Sequence, residues 1–145
     1  MGAQLRIGAF LLGCGHHSAA WRHRDSPVES LGDITYYESL AQIAERGKLD
    51  AVFFADGHSV REPESGASWF LEPITALTAM ARATADIGLV TTISTTFYTP
   101  FHAARLLASL DHISHQKDIV KKAFHLVDPV GYRVGDVLAI FSKAA

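Results

Sequence analysis

One cysteine stands in 145 residues, and that scarcity is the first constraint. Cys14 has no partner within the chain, so no internal disulfide braces the fold, which suits a reducing compartment. An excess of charge is missing too. Thirteen Lys and Arg against fifteen Asp and Glu leave a formal net charge of -2, which lacks the basic footprint of a nucleic-acid or anionic-membrane binder. The N-terminal part offers only the apolar run from Ile7 to Leu12. That is too short and too poorly flanked for a membrane span or a signal peptide, so the expectation is a soluble, cytoplasmic protein. What the chain does have is apolar content, 48% hydrophobic against 19% charged, ordinary for one globular domain with a real core.

The stretch that organises the rest is Leu49 to Gly57, Leu-Asp-Ala-Val-Phe-Phe-Ala-Asp-Gly. A short apolar run bounded by turn formers reads as a strand buried on both faces, as parallel strands are beneath covering helices. In α/β sheets the ligand crevice lies at the carboxyl ends of the strands, which places Asp56 at such a site by topology. The competing reading is that Asp56 only caps the turn.

In chain order, Gln4 to Leu12 reads as a first strand, followed by Gly13-Cys14-Gly15 and a polar loop from His16 to Gly32. Loops of that length inside a compact domain are more often functional than not. Thr35 and Glu38 have capping-box spacing for a first helix, with Tyr37, Leu40, Ala41 and Ala44 on its inner face, Ile43 at the edge of that face, and Gly47 as its left-handed terminator. Glu72-Pro73 opens a second helix whose buried stripe is Ile74, Leu77, Met80 and Ala81. Leu89 to Ser94 has strong β preference. Thr99-Pro100 opens a third helix with Ala103, Leu106, Leu107, Leu110 and Ile113 inward. Asp118 to Val127 suits a fourth helix and Val134 to Phe141 a strand. The alternation is that of a parallel sheet, and long loops after strands with short ones before them match a (βα) barrel. A whole barrel takes about 250 residues, so the fold expected is α/β, a partial (βα)8 TIM barrel of about three βα units over 1–114, with an unassigned tail over 115–145.

Several clusters could carry chemistry. Gly13-Cys14-Gly15 after a strand suggests a dinucleotide loop, but Ser18 stands where the third glycine belongs and no helix follows at once. His16, His17 and His23 match no metal-ligand spacing, so no metal is expected. The same loop could instead line a pocket, with His16 or His17 as polar groups, Trp21 for stacking and Arg22 for an anion. The alternative is that Trp21 covers the barrel rim and Arg22 pairs with Asp25. Cys14 is a further thiol with no base assigned to it. Thr91, Thr92, Ser94, Thr95 and Thr96 put hydroxyls at the end of the third strand, beside Asp56 of its neighbour, in the manner of a cofactor pocket. His58, His102 and His112 read as surface or loop residues.

Ile7-Gly8-Ala9-Phe10, Gly15-His16-His17, Ala20-Trp21-Arg22-His23, Ala44 to Asp50, Phe54-Ala55-Asp56-Gly57, Glu72-Pro73, and Ile87 to Val90 through Ser94-Thr95-Thr96 together resemble the flavin-dependent monooxygenases of the nitrilotriacetate monooxygenase type, within the bacterial luciferase-like superfamily. The resemblance runs from about Gln4 to Ser114. It implies a (βα)8 barrel that holds FMN at its carboxyl face. Reduced flavin comes from a separate flavin reductase, and with oxygen it oxygenates a small nitrogen- or sulfur-containing organic substrate. By motif the flavin contacts fall on Asp56 and Thr92, and His16, His17 and Trp21 fall on the substrate side; no catalytic residue is assigned.

The chain departs from that pattern after the third helix. Where the family continues with Ser-Gly-Gly-Arg, this sequence has Ser114-His115-Gln116-Lys117-Asp118, and the resemblance stops. The expectation is a truncated relative, inactive alone or assembling with itself or a partner chain through open barrel edges. A small nucleotide-binding domain using Gly13-Cys14-Gly15 is the remaining alternative.

Overall fold

A computed structural model describes residues 5–56, 71–94 and 96–114, together with the backbone of 125–127. Its elements alternate: β1 (Gly8–Phe10), α1 (Ile34–Arg46), β2 (Ala51–Phe54), α2 (Pro73–Ala83), β3 (Gly88–Ser94), α3 (Pro100–Ser114) and β4 (His125–Val127). The strands form one parallel sheet in the order β1-β2-β3-β4, with Phe10 opposite Phe53 and Phe54 opposite Thr91. Sequential strands are therefore spatial neighbours, each reached through a helix, which is the βα repeat expected.

The helices gather on one face. Val52 and Phe54 of β2 and Leu89, Thr91 and Ile93 of β3 are buried there. The apolar ones share a core with Tyr37, Ala41, Leu77, Met80 and Leu107. The intervening residues, Ala51, Phe53, Val90, Thr92 and Ser94, are only half-buried. This corrects the expectation of a strand buried on both faces: among the described residues β2 has one covered face and one open one. On the open face Phe10 and Phe53 meet at 4.7 Å between ring centroids.

The first strand is shorter than its apolar run. Leu11 N still donates to Phe53 O, but Gly13 (φ 32) and Gly15 (φ 105) then turn the chain out of the sheet. Backbone in that region favours glycine, and a Cβ on Gly13 would also lie 3.0 Å from Leu31 Cδ2. No helix follows this turn; the next elements are 3-10 turns at Ala20–Arg22 and Val28–Ser30. A dinucleotide loop requires a helix start at that point, so the Gly13-Cys14-Gly15 reading loses its anion-binding device.

Both ends of α1 differ from expectation. Asp33, not Thr35, is the N-cap: its Oδ1 accepts from Thr35 N at 2.9 Å and from Thr35 Oγ1 at 2.8 Å. A carboxylate two residues earlier accepts more bonds than the threonine hydroxyl can, so the helix starts two residues sooner than a Thr35 cap would place it. At the other end Gly47 has φ -72, and the left-handed residue is Lys48 (φ 60). Gly47 is required instead by crowding, since a Cβ would stand 3.3 Å from Ile43 O. On the helix face Tyr37, Ala41 and Ala44 are buried, whereas Ile43 is 55% exposed.

Glu72 and Pro73 start α2 as expected. Both Glu72 carboxylate oxygens accept helix-start amides, Oε1 from Ile74 and Oε2 from Thr75. Ile74, Leu77, Met80 and Ala81 are all buried. In α3 the inner stripe is Ala103, Leu107, Leu110 and Ser114. Leu106 and Ile113 stay 38% exposed, because they flank the narrow line of contact that α3 makes with its neighbours. Only a short connection separates Ser94 from Pro100, so the pattern of long loops after strands fails for β3. His125–Val127 is a strand paired with Thr92–Ser94, which overturns the helix expected to run to Val127. Residues 118–124 and the expected strand over 134–141 lie outside the described residues.

The amino-terminal edge of the sheet is tied by carboxylates. Asp50 accepts from Ile7 N at 2.8 Å and from Arg6 Nη1 at 2.7 Å, which sets β1 beside β2. Glu45 Oε1 on α1 accepts from Ala85, Asp86 and Ile87 N, closing the turn before β3. Gly88 enters β3 where any Cβ would lie 2.8 Å from Asp50 O.

Candidate functional site

At the carboxyl end of the sheet the strands deliver side chains of a different kind. β2 ends at Phe54, so Asp56 lies just past it, level with the end of β3. Thr92 belongs to the half-buried face of β3. Its Oγ1 accepts a 2.8 Å hydrogen bond from the backbone N of Asp56. The threonine thereby fixes the turn that carries the carboxylate, while its own O–H proton has no partner among the described residues. Thr91, on the opposite face, is buried and donates its hydroxyl to Thr92 O. The run of hydroxyls thus divides in two: Thr91 belongs to the core and Thr92 to the site.

Tyr98 joins this group although no motif marked it. Its amide donates to Ser94 O in the turn leaving β3, and its ring packs on the core. Burial, then the charges of Glu72 and Asp56, push its phenol above the ordinary value. Tyr98 therefore stays a protonated donor facing two carboxylates. No local sequence signal singles it out, since Phe97 stands directly after the Ser94-to-Thr96 hydroxyl cluster and Tyr98 only after that.

The loop leaving β1 occupies the same end. His16 packs edge-on against Phe10, with ring centroids 4.8 Å apart. Tyr36 of α1 donates its hydroxyl to Gly13 O, which anchors the loop's first turn. His17 Nδ1 accepts from Ala19 N, and His23 Nδ1 accepts from Asp25 N. Each imidazole is thus held in the tautomer that carries its proton on Nε2. Arg22 lies over the Trp21 ring at 4.8 Å. Asp25 takes Arg24 at 3.4 Å and lies 3.7 Å from His23, so the expected Arg22–Asp25 pair is replaced by an Arg24–Asp25 pair. Asp56 and Thr92 are brought into contact, whereas His17 and Trp21 make their contacts within the loop. Among the described residues no three His, Cys, Asp or Glu side chains converge on a metal position.

A model of the luciferase-like monooxygenase family matches residues 10–115. The chain belongs to that family. It is 47% identical over 113 residues to N-acetyl-S-(2-succino)cysteine monooxygenase of Bacillus subtilis (strain 168), covering 77% of this chain and 26% of that protein. It is 38% identical over 130 residues to nitrilotriacetate monooxygenase component A of Aminobacter aminovorans, covering 79% of this chain and 29% of the relative. Among solved structures, a riboflavin lyase with modified FMN and riboflavin superposes with a TM-score of 0.71 at 31% identity, over 86% of this chain and 30% of that one. The chain spans between a quarter and a third of the length of these proteins. Its alternating parallel sheet matches the corresponding part of the riboflavin lyase structure. No helix among the described residues is long and apolar enough to cross a membrane.

Proposed function

We propose that this chain forms the flavin-binding start of an FMN-dependent monooxygenase, in which reduced FMN and oxygen serve to oxygenate a small nitrogen- or sulfur-containing organic compound. The observation that carries the reading is the 2.8 Å bond from Asp56 N to Thr92 Oγ1. It sets a carboxylate and a hydroxyl with an available proton at the carboxyl end of one parallel sheet, where α/β proteins bind ligands, and the Tyr98 phenol, held from the turn after β3, joins them there. These groups fit FMN: its ring edge alternates hydrogen-bond donors and acceptors, and its flat body suits the open apolar face at Phe53 and Val90. A relative's structure with modified FMN supports the same choice.

When bound, reduced FMN supplies the electrons and activates oxygen. The chain's own residues bind and orient. Thr92 holds the Asp56 turn and offers its hydroxyl proton, Asp56 accepts, and Tyr98 donates. Phe10, Phe53 and Val90 present apolar surface that keeps water from the ring face. A separate flavin reductase as partner accords with a relative described as component A of its enzyme. In a titration of FMN with the 145-residue chain, flavin fluorescence should be quenched saturably. Asp56→Ala should weaken binding about tenfold, the loss of roughly one charge-assisted hydrogen bond. Equal binding by wild type and Asp56→Ala would overturn the reading.

Assembly with another chain is a second reading. It is favoured by the exposed Leu5, Ile7 and Phe10 on β1 and the segment leading into it, since an open apolar strand edge invites pairing. Sedimentation of a monodisperse monomer would remove it.

A further inference from the structure

The loop between β1 and α1 forms an open, solvent-accessible cavity of about 570 Å³, lined among others by Cys14, His17, Arg22, His23, Asp25 and Ser26. Four features of its walls point to one kind of ligand. The Arg22 side chain makes no ion pair or hydrogen bond among the described residues, and only the Trp21 ring holds its guanidinium. Cation–π attraction fixes the group in place without using any of its N–H donors. His17 and His23 each use Nδ1 as an acceptor for a loop amide, so each has an Nε2–H left to donate. Ser26 Oγ is buried and has no hydrogen-bond partner among the described residues, a state that costs free energy unless a ligand or water completes it. The acidic wall residue, Asp25, is met by Arg24, which limits its opposition to an anion.

We propose that this cavity binds a carboxylate group of the substrate, with Arg22 as the residue that selects for it. A guanidinium presents a planar fork matched to the two oxygens of a carboxylate, which neither lysine nor a neutral donor reproduces. The imidazole Nε2–H groups and the Ser26 hydroxyl supply further donors to an acceptor-only ligand. This inference rests on the monooxygenase reading for its meaning, since it names the class of compound the enzyme would take: an organic acid, not a plain hydrocarbon or thioether. It accords with two relatives whose names specify a succino group and nitrilotriacetate. The cavity sits in the loop leaving β1, apart from the Asp56–Thr92 turn, so the two sites can be probed separately.

The test uses the 145-residue chain without flavin and propane-1,2,3-tricarboxylate as probe, followed by chemical-shift changes of the Trp21 indole N–H. Saturable shifts are expected, with the uncharged tricarboxamide of the same skeleton at least tenfold weaker. Arg22→Gln should weaken tricarboxylate binding at least tenfold, Arg22→Lys should recover part of the loss, and Arg105→Gln, an exposed guanidinium on α3 outside the cavity, should leave binding intact. The inference fails if the tricarboxamide binds equally, if Arg22→Gln binds as wild type does, or if no shift appears at millimolar probe. Its failure is distinguishable from failure of the flavin reading: FMN quenching that survives Arg22→Gln and is lost in Asp56→Ala would leave the monooxygenase reading standing with this inference gone.

Discussion

The Asp56 amide hydrogen-bonds Thr92 Oγ1 at 2.8 Å, so a residue beyond the end of one strand is held by a side chain of the next. The bond is both structural and functional, because the turn it closes aims the carboxylate on which flavin binding is proposed to depend.

Thr92→Val keeps the shape and removes the acceptor. The Asp56 amide then loses its partner in a half-buried turn, with an expected cost of about 1–3 kcal/mol, read as a lower urea midpoint. FMN quenching should weaken in parallel, and Thr92→Ser should restore both. A Thr92→Val protein as stable as wild type would show that the amide finds another acceptor.

Glu45 is the acceptor for three amides in the turn before β3. Burial opposes its ionisation, but those N–H donors and Lys48 together hold the carboxyl below its ordinary value. A lowered folded value means that the stabilisation is complete above the ordinary carboxylate value and is lost as pH falls through the folded one. Glu45→Ala should therefore cost about 2 kcal/mol at neutral pH and show a smaller further loss on acidification. Denaturant melts at neutral pH and at pH about 3 check both parts.

Gly88→Ala places a methyl 2.8 Å from Asp50 O and 3.3 Å from Ala51 Cβ. Both obstacles are on β2 or at its threshold, one of them backbone, and β2 cannot withdraw without breaking its pairing with β1. An overpacking cost of about 1–3 kcal/mol is expected, visible as a lower Tm with an unchanged far-UV spectrum.

Tyr37 donates to Leu31 O from the core, and burial pushes its phenol up to about 12 from 10.0. For a raised group the stabilisation is whole below the unfolded value near 10 and disappears as pH rises through about 12. Tyr37→Phe should cost about 1 kcal/mol at pH 7 and reduce the alkaline loss of stability, which pH-dependent melts will show.

The alternation of strands and helices was legible because apolar period, proline at helix starts and turn residues all agree for α2 and β3. Glu72-Pro73 is the clearest case, where one dipeptide named the cap and the first turn. Asp56 and Thr92 could be brought together from topology and from family motifs, since parallel pairing sets strand ends side by side. Tyr98 was missed because its role depends on two carboxylates from distant segments, and no local pattern carries that information. The Thr35–Glu38 box failed for a local reason: Asp33 competes for the same amides and is the stronger acceptor. Leu106 and Ile113 failed because periodicity defines a helix's apolar stripe without stating how much of it a neighbour covers. His125–Val127 was misread for a similar reason, as pairing with the edge of β3 outweighs the helical spacing of its apolar residues.

The clasp made by Glu45 also joins α1 to the entrance of β3 while skipping β2 and α2, a span of about forty residues. The βα units therefore cannot come apart one at a time: releasing α1 also releases the turn that starts β3. In hydrogen exchange, the amides of Ala85, Asp86 and Ile87 should follow the opening of α1, so that a surface turn reports on cooperative unfolding instead of local fraying.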